Sequence, residues 1–228
     1  LIRWSIGDWT LDGLAPGQWR EVTVPGALWL RLHFAEAGLA PGALSLVFGD
    51  PAAVSGHLIA HPAIRNRGTL GGSVALADPA SEFPAMMLAM EAQMEIAGPQ
   101  GTRRVPANAF FQDLYQTALE PGELLVALHI PAAGPQHRCA FDEFARRRGD
   151  YALVGCGVML TAPAREVESA RIAFFSVGPT PVRAQAAEAA LIGRRLDSEV
   201  IRLAQAALSQ DLDPPDDEQV PAAMRLHL

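Results

Sequence analysis

Ile64-Arg65-Asn66-Arg67-Gly68-Thr69-Leu70-Gly71-Gly72-Ser73-Val74-Ala75-Leu76-Ala77-Asp78-Pro79-Ala80-Ser81-Glu82-Phe83-Pro84 is the stretch on which the reading of this chain turns. Arg65 and Arg67 bring positive charge to its start. Gly71 and Gly72 are neighbours without Cβ, so the backbone there is free to take φ > 0 and to approach a ligand closely. Residues 73–77 form a short apolar run, which reads as a buried strand. Residues 78–82 read as the entry to a helix, with Asp78 and Ser81 as candidate caps. Pro84 suits the first helical turn, where a missing N–H forfeits no intrahelical bond.

A turn of this kind presents amide N–H groups to an anion. Hydrogen bonds to charged groups contribute about 1.5–3 kcal/mol each, so two or three of them hold a diphosphate without a lysine. Consecutive N–H groups form the nest that does this. A carboxylate one helical turn away accepts hydrogen bonds from ribose hydroxyls. The stretch therefore reads as a dinucleotide site, with Gly71 and Gly72 facing the phosphates and Glu82 or Asp78 facing a sugar. A T-x-G-G turn by itself is more often a plain connection between strands, so the surrounding sequence has to carry the reading.

Composition narrows the field. The chain has 228 residues, half of them hydrophobic, enough for one large or two modest domains with a sizeable core. Its formal net charge of −7 argues against nucleic acid as a partner, since phosphate backbones are met by basic faces. All 18 basic residues are Arg. That excludes a P-loop lysine and a Schiff-base lysine. Cys139 and Cys156 are too few to ligate an iron–sulfur cluster or a structural zinc alone, and read as ordinary buried thiols of a cytosolic protein. No metal site and no acid–base pair or nucleophile with catalytic spacing is found. No apolar run is long enough to span a membrane, and no signal peptide is visible. A start at Leu1 instead of Met reads as either a fragment or a renumbered portion of a chain.

The coarse pattern follows from the periods. Residues 1–58 are the least regular: Trp4, Trp9, Trp19 and Trp29 sit among Gly and Pro. Residues 19–24 suit a strand, and 27–37 suit a helix with Leu28, Leu32 and Ala35 on one face. The tryptophans suit a stacking platform for a flat ring, or more ordinarily core and surface positions. His61, before Pro62, reads as a structural histidine before an acid or base. A helix is expected over 82–92, with Phe83, Met87 and Met90 on one face and Met86 and Leu88 widening it. Its methionines read as core filling before a soft metal site. Gly98-Pro99-Gln100-Gly101 makes a hairpin of 93–96 and 102–105. A short amphipathic segment over 109–115 and a strand over 124–130 complete the first half. Residues 134–136 read as a linker. Strands are expected over 138–146, 152–160 and 170–177, then helices over 182–191 and 198–208, and a polar loop at 214–217. Arg146-Arg147-Arg148 is either an anion clamp or docking patch, or a solvated loop.

The whole segment is more specific than its turn. It resembles the second flavin-binding motif of the FAD subunit of molybdenum hydroxylases, the family of carbon monoxide dehydrogenase medium subunits and the xanthine dehydrogenase flavin domain. The turn R-N-x-G-T-[IL]-G-G-[NS] is followed there by A-D-P-[AS]-[AS]-[DE]-x-P. The likeness continues through 123–126, Ile130-Pro131, F-D-E-F-A-R-R at 141–147, G-D-Y-A-L-V at 149–154 and V-G-P-T-P-V-R-A at 177–184.

The resemblance implies an α+β fold. An FAD-binding domain of the vanillyl-alcohol-oxidase-like type occupies residues 1–133, and a C-terminal domain with a three-stranded antiparallel sheet covered by helices occupies 137–228. It implies that Thr69, Leu70, Gly71, Gly72 and Ser73 hold the diphosphate of FAD, that Asp78 and Glu82 lie toward the ribose or adenosine, and that Leu125 packs on the flavin edge. Ile59-Ala60 fall, by count, where the family passes beside the flavin ring. It implies partners as well: a large subunit with a molybdenum cofactor and a small one with [2Fe–2S] clusters, in a cytoplasmic dimer of heterotrimers. Electrons would leave the FAD for NAD, a quinone or another acceptor. Two departures stand out. The family's first glycine-rich loop, of A-G-G-x-S type, is not found in residues 1–58. Asp142 stands where some members place a basic residue toward FAD, so that contact is not carried over. A flavin-free remnant serving as an interaction subunit is the alternative. A stand-alone flavin reductase is disfavoured by the C-terminal blocks.

Overall fold

The computed structural model describes residues 69–133, 136–146, 150–163, 166–217 and 220–228, together with the backbone of 4–6, 9–10 and 29–33. Three short strands open the chain: β1 (Trp4–Ile6), β2 (Trp9–Thr10) and β3 (Trp29–His33). Two helices follow, α1 (Leu70–Leu76) and α2 (Glu82–Ala89). Then come β4 (Gln93–Gly98), β5 (Gly101–Pro106), α3 (Ala107–Phe110), β6 (Phe111–Asp113), β7 (Gln116–Thr117) and β8 (Leu124–Pro131). The C-terminal part contributes β9 (His137–Ala145), β10 (Ala152–Thr161), β11 (Ser169–Phe175) and β12 (Val182–Arg183). It closes with α4 (Gln185–Leu191), α5 (Ser198–Asp211) and α6 (Ala222–His227).

Two larger antiparallel sheets and a separate β6-β7 pair organise these elements. The first runs β2-β1-β3-β8-β4-β5 and the second β12-β11-β10-β9. The hairpin at Pro99-Gln100 forms where its turn residues place it, joining β4 to β5 from Gly98↔Gly101 to Gln93↔Pro106. The three long strands expected in the C-terminal half are present. A fourth, β12, takes residues 182–183 from the expected start of a helix and pairs Ala173↔Arg183 and Phe174↔Val182.

The helix expected over 27–37 is overturned. Residues 29–33 are strand β3, paired with β8 from Trp29↔Pro131 to His33↔Ala127 and with β1 on its other side. Helical spacing of Leu28, Leu32 and Ala35 loses to backbone pairing on both edges, because β8 needs a second neighbour and W-L-R-L-H fits a pleat as well as a helix. The strand suggested for 19–24 lies outside the described residues, as do His61, the residues beside the flavin by count, and Arg147-Arg148.

Helix α2 sits at the centre. Pro84 through Met90 are all buried, and Met86, Met87 and Met90 share one core with Met94 and Ile96 of β4, Leu128 and Ile130 of β8, and Ala173 and Phe175 of β11. One apolar face was expected from the sequence. The helix is instead apolar all round, as one packed between two sheets has to be. β11 divides its side chains accordingly: Ala173 and Phe175 join this core, while Ala170 and Ile172 turn to α4 and α5 with Ala187, Leu191, Val200 and Ala204. Glu188 of α4 ties that second layer together. It is buried, accepts from the Ile172 N–H at 2.7 Å, and takes both Nε and Nη2 of Arg183 at 2.6 and 2.7 Å.

Candidate functional site

The residues singled out between 69 and 82 do not form the expected turn and strand. Thr69 is extended (φ −120°, ψ 144°) and is the N-cap of α1, its Oγ1 accepting from the Gly72 N–H at 3.0 Å. Ser73 N–H donates to the Thr69 carbonyl at 3.0 Å, closing the first helical turn. Leu70, Gly71 and Gly72 are thus the first turn of a helix, and the strand expected over 73–77 is helical too. A five-residue apolar run suits either state; Thr69 supplies the cap that decides for a helix.

Two expectations change with this. Gly71 and Gly72 adopt helical backbone, and the positive-φ glycines of the described residues are Gly101, Gly122 and Gly193. The Gly72 amide is also not bare, since the Thr69 hydroxyl takes it. A different role for Gly72 emerges: a Cβ there would stand 2.7 Å from Thr69 Oγ1, so the absent side chain leaves room for the cap. The donors that remain belong to Leu70 and Gly71, whose N–H groups have no acceptor within their own helix. No acidic residue lies in that first turn, so the positive end of the helix is not offset by its own side chains.

Ala77, at φ 53° and ψ 43°, ends α1 and returns its N–H to the Ser73 carbonyl. The chain then turns through residues 78–81. Asp78 Oδ1 accepts from Ala80 N–H at 2.9 Å, and the Asp78 carbonyl accepts from Ser81 N–H at 3.0 Å. Ser81 is the N-cap of α2 but makes no side-chain cap bond; its Oγ meets Ser73 Oγ at 2.7 Å. That hydroxyl pair binds the start of α2 to the middle of α1. Glu82 opens α2, where a carboxylate is favoured by the helix dipole. Pro84 falls in the same first turn, as its missing N–H requires.

The structure therefore places Thr69 at the start of α1, Ser73 in its middle, Asp78 in the turn that follows and Glu82 at the start of α2, with the Ser73–Ser81 contact joining the two helices. Leu125 is elsewhere: half-buried on β8, it stands across from Ile96 beside a β-bulge and packs against the main core. Two residues that sequence reasoning passed over join the group. Tyr115, at φ 54° on the tip between β6 and β7, has its phenol pKa raised by the Asp78 carboxylate, then by burial, and further by Tyr151. These are the two tyrosines of the chain, 54% and 70% exposed. No spacing links 78, 115 and 151; large aromatic side chains left in water are the signal, and they show only once the chain is folded.

Cys139 and Cys156 lie half-buried on the neighbouring strands β9 and β10. Burial pushes both thiols up, with Asp142 adding to the effect on Cys156. Among the described residues, no helix is long and apolar enough to cross a membrane.

With this geometry in view, two family models match in tandem. Residues 49–133 match the FAD binding domain in molybdopterin dehydrogenase, and residues 139–228 match the CO dehydrogenase flavoprotein C-terminal domain. The chain carries the two flavoprotein domains of the molybdopterin dehydrogenases, in tandem. Its flavoprotein relatives include the carbon monoxide dehydrogenase medium chain of Hydrogenophaga pseudoflava, 36% identical over 70% of this chain and 56% of that one. Caffeine dehydrogenase subunit beta of Pseudomonas sp. strain CBB1 is 37% identical over 75% of this chain and 58% of its own length. Among solved structures, the H. pseudoflava carbon monoxide dehydrogenase lacking the Mo-pyranopterin moiety matches with a TM-score of 0.73 at 38% identity, covering 78% of this chain and 61% of that one. Quinoline 2-oxidoreductase of Pseudomonas putida 86 gives 0.69 at 40% identity, over 75% and 59%. The chain thus spans less than two thirds of the flavoprotein chains that it matches.

Proposed function

We infer that this chain carries FAD in a molybdenum-containing hydroxylase, a dehydrogenase in which it is the electron-transfer subunit. The observation that carries the reading is the pair of short helices over residues 69–89, joined by Ser73 and Ser81, inside a matched FAD-binding domain. The residues present fit a dinucleotide: helical N–H groups at Leu70 and Gly71 that meet no acceptor among the described residues for an anion, the Thr69 and Ser73 hydroxyls of the same helix, and the carboxylates of Asp78 and Glu82 beyond the end of α1 for sugar hydroxyls. Thr69 Oγ1 accepts from the Gly72 N–H and keeps its own proton to donate, while Ser73 and Ser81 use one hydroxyl proton between them and leave the other to offer. Leu125 supplies apolar contact at the ring. The chemistry such a cofactor supplies when bound is the exchange of electrons between one-electron and two-electron partners.

The likeness to molybdenum hydroxylase flavoproteins supports the remaining roles in this reading. A large subunit with a molybdenum cofactor and a small subunit with [2Fe–2S] clusters are the partners, in a cytoplasmic dimer of heterotrimers, with NAD, a quinone or another acceptor receiving the electrons. The FAD-binding domain is of the vanillyl-alcohol-oxidase-like type and ends near residue 133, and the C-terminal domain begins near 137. The test is purification of the native complex with its visible spectrum and its molybdenum and iron content. A yellow complex containing both metals is expected. A colourless chain that still co-purifies with molybdenum and iron would replace this reading with that of an interaction subunit.

A further inference from the structure

Ser176 is held in a conformation that its side chain disfavours. Its φ is 61°, in the left-handed region, where a Cβ crowds the following carbonyl. Its hydroxyl is buried and has no hydrogen-bond partner among the described residues, a second unfavourable feature at one position. Both are maintained by what surrounds it. Phe175 is fully buried, stacks on Phe141 with centroids 5.8 Å apart, and lies against Gly155. Val177 is 2% exposed in a separate cluster with Val154 and Leu212. Two consecutive anchors pointing into different cores leave Ser176 little freedom, and the left-handed turn aims its N–H out of β11.

That N–H donates to the carbonyl of Pro79 at 2.8 Å. Pro79 is the residue after Asp78, inside the turn that joins α1 to α2. Within itself the turn is held by Ala80 N–H on Asp78 Oδ1 and Ser81 N–H on the Asp78 carbonyl, while Ser73 of α1 meets Ser81 and Tyr115 approaches Asp78 from the tip between β6 and β7. The bond from Ser176 is its tie to the C-terminal sheet, and it crosses 97 residues of chain. Strain concentrated on a non-glycine residue that contacts a binding element points to a positioning role.

We propose that Ser176 is a positioning residue for the cofactor: its strained backbone clamps the 78–81 turn to the C-terminal sheet and so sets the direction of the Asp78 and Glu82 carboxylates. The clamp joins the dinucleotide-binding turn to the C-terminal part of the same chain. This rests on the FAD reading above.

The experiment compares Ser176→Gly, Ser176→Ala and Ser176→Val in the intact chain, with FAD titrated back after its removal. Gly and Ala both lack the hydroxyl and differ in their tolerance of φ > 0, and Val tolerates it least. A left-handed penalty that depopulates the clamped turn raises the apparent dissociation constant in proportion. Ser176→Gly is expected to bind FAD within about twofold of the wild type, and Ser176→Val about tenfold more weakly, with Ala between. The melting temperature of FAD-free Ser176→Gly should equal or exceed that of the wild type, a result that a merely structural loss would not give. If Ser176→Val fails to fold, the Ala-to-Gly ratio decides the matter alone. Equal FAD affinity in all three variants would overturn the proposal, as would a loss in Gly as large as in Val. A wild-type chain that binds no FAD would instead sink the cofactor reading.

Discussion

His129 Nε2 stands 2.6 Å from Glu95 Oε2, with the two side chains 4% and 8% exposed. They lie on the neighbouring strands β8 and β4, and Arg104 of β5 reaches the same oxygen at 3.4 Å. Met94 and Ile96, the neighbours of Glu95, point into the main core, so Glu95 belongs to the opposite face of the sheet.

Removing one partner from such a pair leaves the other buried with its desolvation poorly offset. His129→Leu is expected to destabilise the fold by about 3 kcal/mol, and Glu95→Leu with His129→Leu together by less than either substitution alone. Urea unfolding of the two single variants and the double variant measures this. Additive losses would show that the two side chains act independently.

The cap at α1 makes a second prediction. A β-branched residue at Gly72 would press on Thr69 Oγ1, which lies 2.7 Å from the added Cβ, and break the bond that starts the helix. Gly72→Val is expected to lower FAD content sharply. Thr69→Ala removes the same bond without adding bulk and should cost about 1 kcal/mol of stability, whereas Thr69→Ser should behave as the wild type. Visible absorbance of the purified proteins reports the flavin. Full occupancy in Gly72→Val would count against the assignment of this turn to FAD.

The hairpin carries a pH signature. Arg103 donates through Nε and Nη2 to both oxygens of Glu123, at 2.9 and 2.7 Å. Those bonds, and a backbone bond from Glu120, hold the Glu123 carboxyl down at about 2. A carboxylate held below its unfolded value stabilises the fold above that value and loses this contribution as pH falls through the folded one. Wild-type melting temperature should therefore decline between about pH 5 and pH 2 more steeply than that of Glu123→Gln. Identical profiles would show that the pair contributes nothing measurable.

Packing of α2 against the second sheet is testable at two glycines of β10. A methyl on Gly155 would overlap the ring of Phe175, and one on Gly157 would meet the sulfur of Met86. The ring is fully buried and stacked, while the thioether is an adaptable chain end. Gly155→Ala should thus cost about 2 kcal/mol and Gly157→Ala about 1 or less. Thermal unfolding ranks the two, and the reverse order would mean that the ring gives way more easily than the thioether.

What the sequence determined by itself is what short-range chemistry decides. Gly98-Pro99-Gln100-Gly101 turns the chain tightly enough to pair β4 with β5, and Gly101 takes the positive φ of 112° that only its lack of Cβ makes easy. The start of α2, the long strands β8 to β11 and the family's motif order were likewise legible, because period and punctuation are local properties. Tertiary structure decided the rest. Residues 29–33 became a strand because β8 offered an edge to pair with; the helix at 70–76, by contrast, is set by the local Thr69 cap, a signal that the reading of 73–77 as a strand passed over. The approach of Tyr115 to Asp78 and to Tyr151, and the bond of Ser176 to Pro79, depend on which faces of α2 and the two sheets come together. Contacts between residues so far apart are set by packing of the whole core, and no periodicity along the chain encodes them.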